Sequence, residues 1–314
     1  MVGPVIAGFL VENISWRWVF GLPALAIALS MPLILWKMQQ FPNPAVANAA
    51  NPHLRRAFLL SVFSGIAVGG LQIISGTKSE NFSLYTLLAI IIFTAVLFLS
   101  VRPLLPAHTF RVAPGLPATI FYRGLINGSY LTVELFLPLM LKMEHGYSAT
   151  AAGMVLTVGS VTWAIGSWIQ GRVLNPEIRA KLPLIGSAMQ LIGTLITLLG
   201  AFSEISGIAV YTGWLIASLG IGLVYPALAA HALALTPPER HGQTSSAVQV
   251  SDTLGAAVLI AFGGIIFALT TPTGYIAFLY TLGFACVIIF FGLLITGRIN
   301  MGPIDFNTNQ LQEN

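Results

Sequence analysis

Residues 117–141 read PATIFYRGLINGSYLTVELFLPLML. As a helix rising 1.5 Å per residue this run is roughly 37 Å long, more than the roughly 30 Å of hydrocarbon in a bilayer. Only Arg123 and Glu134 within it are charged. The apolar residues are continuous rather than alternating, which argues against a barrel strand and for a helix that satisfies its own backbone hydrogen bonds in lipid. Its polar residues are not scattered either. Arg123, Asn127, Tyr130 and Glu134 follow one another at spacings of 4, 3 and 4, which at about 100° per residue keeps them on one narrow face. Ionisable groups are costly in hydrocarbon, so this stripe is expected to face protein or a water-filled cavity.

Runs of the same kind extend in both directions, near 17–36, 57–76 and 84–101 before it, and near 150–171, 183–202, 208–233, 244–269 and 275–297 after it. Together they make about nine full spans. The 314 residues are 56% hydrophobic and 8% charged, where an ordinary soluble domain carries roughly a quarter charged residues. With a mean hydropathy of +0.86 and no long polar stretch, there is no room for a sizeable soluble domain. The sequence therefore predicts an all-α, polytopic transmembrane helix bundle, with a partial helix in the apolar stub of residues 1–12. The single cysteine, Cys286, excludes a disulfide framework or thiolate metal cluster within one chain. Neither a cofactor nor a metal is expected. The net charge of +4 sits in short loops, so it bears on orientation rather than on nucleic-acid binding.

Lysine and arginine gather on the cytoplasmic side of short loops. One side holds Lys37, Arg55, Arg56, Arg102, Arg111, Arg172, Arg179, Lys181, Arg240 and Arg298, and the other Arg17, Lys78 and Lys142. The first side is read as cytoplasmic, together with the C-terminal tail, 298–314. Residues 37–56, KMQQFPNPAVANAANPHLRR, are rich in Pro, Asn and Ala and read as a cytoplasmic linker. The stub is too short to cross the membrane and lacks the basic leader and cleavage site of a signal peptide. The chain reads as starting inside a helix.

The opening GPVIAG followed by ENISWRWVF resembles the antiporter motif and following loop of the major facilitator superfamily, in its fourteen-helix drug:proton antiporter branch. Gly3, Pro4 and Gly8 match the motif, and Ala7 stands where the family usually has glycine. The stretch from Gly115 to Arg172, with GIGLVYPALAAHAL and SSAVQVSDTLGAA later, is similar to the C-terminal six helices of actinobacterial exporters of that kind. In the degenerate copy of the family's cytoplasmic loop signature, Gly166 fits and Gln170 occupies the acidic position. The resemblance implies that residues 1–36 are the remnant of an N-terminal bundle, 57–101 two additional linking helices, and 117–297 the C-terminal six-helix bundle, with four helices encoded upstream. It also implies a monomeric secondary active transporter of a bacterial cell membrane, exchanging protons for small amphipathic or drug-like compounds by alternating access. Such carriers rock two bundles about a midplane site, so the sequence predicts either an upstream coding segment or an inactive remnant.

Two intramembrane acids are the proton-coupling candidates, Glu134 and Asp252. Ser245, Gln249 and Asp252 repeat the stripe spacing in their own run. Arg123 and Asp252 sit at comparable depths, roughly 9 and 12 Å from the cytoplasmic helix ends, and a buried ion pair that fixes helix register is the plain alternative to a coupling role. Glu134 lies roughly 16 Å beyond Arg123, too far to be neutralised by it. Burial favours the uncharged form of a carboxyl group, which suits proton exchange as a cavity changes sides. A neighbouring-helix hydrogen bond or outer water is the alternative for Glu134. Trp163, Trp214, Ser218 and Tyr225 are candidates for a substrate cavity through area burial and cation–π contact, against helix packing or interface anchoring. Gly65 with Gly69 and Gly124 with Gly128 are expected to let helices approach closely. A membrane enzyme acting on lipid would need both carboxylates at one scissile bond, and their depths differ by about 10 Å or more. SGTKSE (75–80) lacks the Gly-Lys adjacency of a phosphate loop.

Overall fold

The structure, a computed structural model, describes residues 10, 14, 15, 17–38, 52–77, 82–271 and 274–299. All nine apolar runs are helices: α1 (Arg17–Met38), α2 (Pro52–Ser75), α3 (Leu84–Val101), α4 (Leu116–His145), α5 (Ala149–Gly171), α6 (Pro176–Leu199), α7 (Ile208–Ala234), α8 (His241–Thr270) and α9 (Tyr275–Ile295). Among the described residues there is no strand, and nine helices are long and apolar enough to cross a membrane. Gly3, Pro4 and Gly8, most of the linker and the tail beyond residue 299 lie outside the described residues.

Several helices outrun their apolar segments. α6 begins at Pro176 rather than near 183, because Asn175 Oδ1 accepts the N–H groups of Glu177 (2.8 Å) and Ile178 (3.3 Å) and proline presets the first turn. Glu177, Arg179 and Lys181 ride on this exposed extension. Hydropathy ended the run where charge began, whereas the capped backbone continues. Likewise Arg55 and Arg56, read as linker, belong to α2, and Lys37 to α1. α4 closes at Gly146, whose φ of 66° places it in the left-handed region and whose N–H bonds to the Leu141 carbonyl.

α4 is the most buried of the nine helices and packs against α5, α7, α8 and α9, while α6 packs on α7 and α9. The α2–α3 pair joins this bundle through α8, where Gln72 Nε2 donates to the Ala257 carbonyl at 3.1 Å. The described side chains of α1 are almost all exposed. Lipid tails are as apolar as leucine, so helix association in a bilayer draws on close packing and interhelical hydrogen bonds rather than hydrophobic transfer.

Glycine spacing supplies that packing. Gly159 and Gly166 in α5, Gly186 and Gly193 in α6, and Gly213 and Gly220 in α7 each stand seven residues apart, two turns along one face. A Cβ on Gly166 would lie 2.5 Å from the Leu219 carbonyl oxygen, one on Gly186 2.7 Å from that of Gly220, and one on Gly213 2.5 Å from that of Gly193. The three helices thus meet backbone to backbone. Gly124 and Gly128 serve the α4–α8 crossing in the same way, against Ser251 and Gly255. Gly65 and Gly69 do not, since nothing stands within 4 Å of a Cβ built on either. They share a turn spacing but face outward, and the close approach of α2 to α3 falls at Gly70, over the Phe93 ring. Gly193→Val is therefore expected to lower stability by about 1–3 kcal/mol through overpacking, while Gly65→Ala does not lower it. Thermal unfolding of the purified variants checks both.

Candidate functional site

The polar stripe of α4 meets α8 and α7 at a buried ion pair. Arg123 Nε lies 2.9 and 3.0 Å from the two carboxylate oxygens of Asp252, and Nη2 donates to Oδ2 at 2.9 Å. Both residues are buried. The remaining guanidinium nitrogen, Nη1, donates to the Tyr225 carbonyl at 2.6 Å, and the guanidinium carbon sits 3.7 Å from the centre of the Tyr225 ring. Asn127 Nδ2 reaches the Asp252 backbone carbonyl at 3.4 Å. This geometry depends on the α4–α8 crossing. With Gly124 and Gly128 facing Ser251 and Gly255, the backbones come close enough for Ser251 Oγ to donate to the Ile120 carbonyl at 2.6 Å, and the ion pair forms in the same interface.

From Tyr225 an aromatic column runs along the helix interface. Its ring stands edge-on to Trp163 at 5.3 Å, Trp163 edge-on to Tyr130 at 5.0 Å, and Tyr130 stacks on Trp214 at 4.3 Å. Edge-to-face and offset-stacked pairs are the favoured arrangements of aromatic quadrupoles. Tyr130 Oη and Ser218 Oγ share a hydrogen bond of 2.9 Å. Trp214 and Ser218 are fully buried, whereas Trp163 and Tyr225 are half-buried. The four residues singled out as cavity candidates are thus brought together, with two of them serving as packed core and two at the open side of the column. Tyr130→Phe is expected to cost about 1 kcal/mol by orphaning the buried Ser218 hydroxyl, and Ser218→Ala in that background should add little. A double-variant cycle on unfolding free energy measures the coupling.

Glu134 stands one turn beyond Tyr130 on the same face, half-buried. It has no hydrogen-bond or ion-pair partner among the described residues, where the one salt bridge is that of Arg123 with Asp252. The two acids therefore differ in kind: Asp252 is held through both oxygens and Glu134 is free. Gln249 does not join the pair. It is exposed, like Ser245, and its Nε2 donates to Thr253 Oγ1 at 3.3 Å, because α8 turns Asp252 and Ser251 inward and leaves the Gln249 side open.

Sequence spacing missed a second polar seam between α4 and α6. Tyr122 Oη bonds the Pro183 carbonyl at 2.9 Å and shares a short hydrogen bond with Ser187 Oγ, and Gln190 Nε2 donates to the Ile126 carbonyl (3.1 Å) and to Ser129 Oγ (3.3 Å). The signal was present. Ser187 and Gln190 are three apart, and Tyr122 and Ser129 are seven apart, two turns along one face, yet uncharged polar residues do not stand out in a membrane helix. Among the described residues no three His, Cys, Asp or Glu side chains gather as a metal site.

The Major Facilitator Superfamily model matches residues 1–259. Among curated proteins, the chain is 22% identical over 280 residues to an uncharacterized MFS-type transporter of Schizosaccharomyces pombe, covering 85% of this chain and 47% of that protein. It is 23% identical over 283 residues to the multidrug transporter protein MdtP of Bacillus subtilis (84% and 49%), and 29% identical over 190 residues to the lincomycin resistance protein LmrB of Listeria innocua (55% and 37%). The chain spans about half the length, or less, of the curated relatives it matches. A match across more than four-fifths of its residues, joined to nine bilayer-length helices, places it: the chain belongs to the Major Facilitator Superfamily.

Proposed function

We propose that this chain forms the proton-handling and substrate-facing part of a secondary active exporter of small amphipathic compounds, with Glu134 as the proton carrier. The observation that carries this reading is the contrast between the two intramembrane acids. Asp252 accepts three hydrogen bonds from Arg123, so its charge is compensated and its work is to hold α4 against α8. Glu134 has no such partner, and an uncompensated carboxylate in a low-dielectric span is the group that gains from taking up a proton or a cationic cargo. Competition of the two for one carboxyl is the simplest form of antiport.

The half-buried rings of Trp163 and Tyr225 suit the same cargo, since aromatic faces attract cations and apolar bodies alike. Names among the relatives, such as multidrug transporter and lincomycin resistance protein, support drug-like compounds as the class. Cytoplasmic placement of the C-terminus follows from the cation distribution and belongs to this proposal, as does residence in a bacterial cell membrane as a monomer. An enzyme acting on lipid is less consistent with a carboxylate wholly occupied by an arginine.

Expression of the protein with the coding sequence surrounding it, in cells stripped of their own exporters, tests the reading. Energised cells should extrude ethidium or lincomycin, and collapse of the proton gradient should abolish the extrusion. Export that continues at zero proton gradient ends the proposal.

A further inference from the structure

Between α3 and the α4–α8 crossing lies a partly open groove of about 370 Å³, within the range of about 300–1,000 Å³ typical of sites for small organic molecules. Leu97 and Val101 of α3, Leu125 of α4, and Leu254 and Val258 of α8 supply its walls. The lining is almost wholly apolar, so it offers nothing to a polar cargo and selects hydrocarbon. It is also separate from the Tyr225–Trp214 column, with which it shares no residue.

One end of the groove is different. Phe98, Phe110 and Phe121 ring it, with centroids 4.9 Å apart for the first pair and 6.3 Å for the second. These rings lie at the end of α3, on the connector and at the start of α4, next to the basic residues of the connector. Arg102 follows Phe98 by one turn and Arg111 follows Phe110 directly. Arg298 completes the cluster, its Nη1 donating to the carbonyls of Arg111 (3.3 Å) and Val112 (2.9 Å). All three arginines are exposed, and none has a carboxylate at ion-pair distance among the described residues. The connector that carries Phe110 and Arg111 is held in an unusual shape, with Val112 at a φ of 52°, a left-handed conformation that a β-branched residue adopts only when its surroundings impose it. An apolar trough ending in an aromatic rim and three exposed arginines matches one kind of molecule.

We propose that this groove binds a membrane phospholipid with an anionic headgroup, one acyl chain lying between α3 and α8 and the phosphate held by Arg102 and Arg111. Charge complementarity at the basic end fixes the choice over a zwitterionic lipid, since a cation near a headgroup surface contributes a factor of about five per residue. The site is independent of Glu134 and of the transport reading.

Native mass spectrometry of the delipidated full chain, titrated with phosphatidylglycerol and with phosphatidylcholine of identical chains, tests it. The wild type should take up one phosphatidylglycerol ahead of all others, with a preference of about tenfold or more over phosphatidylcholine. Arg102→Ala with Arg111→Ala should remove most of that preference, and Val258→Phe, which fills the groove, should remove the first binding step for both. Undiminished selectivity in the arginine variant overturns the headgroup assignment, and undiminished binding in Val258→Phe overturns the groove. A dimer signal lost in Val258→Phe would assign the face to a second copy instead, and would also overturn the proposal. Should a variant fold poorly, phosphatidylglycerol carrying a photoactivatable acyl chain decides on the wild type alone. Adducts on the α3 and α8 peptides around Leu97 and Val258 sustain the site, and adducts confined to other helices refute it.

Discussion

Arg123→Ala, with Asp252 left in place, should lower the stability of the folded chain by about 3 kcal/mol, the largest single effect expected of any substitution here. The magnitude comes from what remains rather than from what is removed. Asp252 accepts three hydrogen bonds from the guanidinium and is 7% exposed, so its loss of Arg123 leaves a carboxylate in hydrocarbon with no other cation at ion-pair distance among the described residues. Asp252→Asn should cost nearly as much by stranding the arginine, although the Tyr225 carbonyl and ring would still engage it. Arg123→Met combined with Asp252→Leu should recover most of the loss, because paired buried charges are commonly replaceable by well-packed apolar residues of similar volume. A residual deficit of about 1 kcal/mol is expected from the Tyr225 carbonyl left without its donor. Cys286, the single cysteine and a buried one, reports the unfolding: a maleimide dye reacts with it only as α9 comes away. Additive losses in the double variant would show that the two charges are not coupled, and that water reaches both.

The same pair shows what sequence reading resolves and where it stops. Helix depth, counted at about 1.5 Å per residue, brings Arg123 and Asp252 to comparable levels from the sequence alone. The bundle itself was legible for a similar reason: continuous apolar runs of bilayer length admit hardly any other structure. Helix ends were less legible, because Asn175 and Pro52 start helices well before hydropathy rises. Faces were the least legible. Gly65 with Gly69 and Gly124 with Gly128 carry the same spacing, yet one pair faces outward and the other meets α8, and only the neighbouring helix distinguishes them. Gln249 fails for that reason too, being one turn from Asp252 but turned to the open side. The Tyr122–Ser187 and Gln190–Ser129 contacts escaped notice since each half of a hydrogen bond between neutral groups looks ordinary in its own helix.

With Glu134 as the proposed proton carrier, Glu134→Gln should abolish proton-driven export while leaving folding intact. A glutamine keeps the volume and hydrogen-bonding capacity of the protonated acid and cannot release a proton, so it fixes the carrier in one of the two states the cycle requires. Since Glu134 has no ion-pair partner to strand, the substitution leaves no orphaned charge, and stability should hold or rise slightly. That distinguishes it from the ion-pair variants, whose loss of transport would come with loss of fold. In proteoliposomes carrying the protein expressed from its full reading frame, addition of a compound the wild type exports should release protons in the wild type and none in Glu134→Gln, while exchange of cargo down its own gradient persists. Glu134→Asp should retain coupling at a reduced rate, because the acid is kept and only its reach is shortened. If Glu134→Gln still couples cargo to protons, the proton must travel by another group, and the clamped Asp252 would be the next to test, through a cycle in which Arg123 lets go of it.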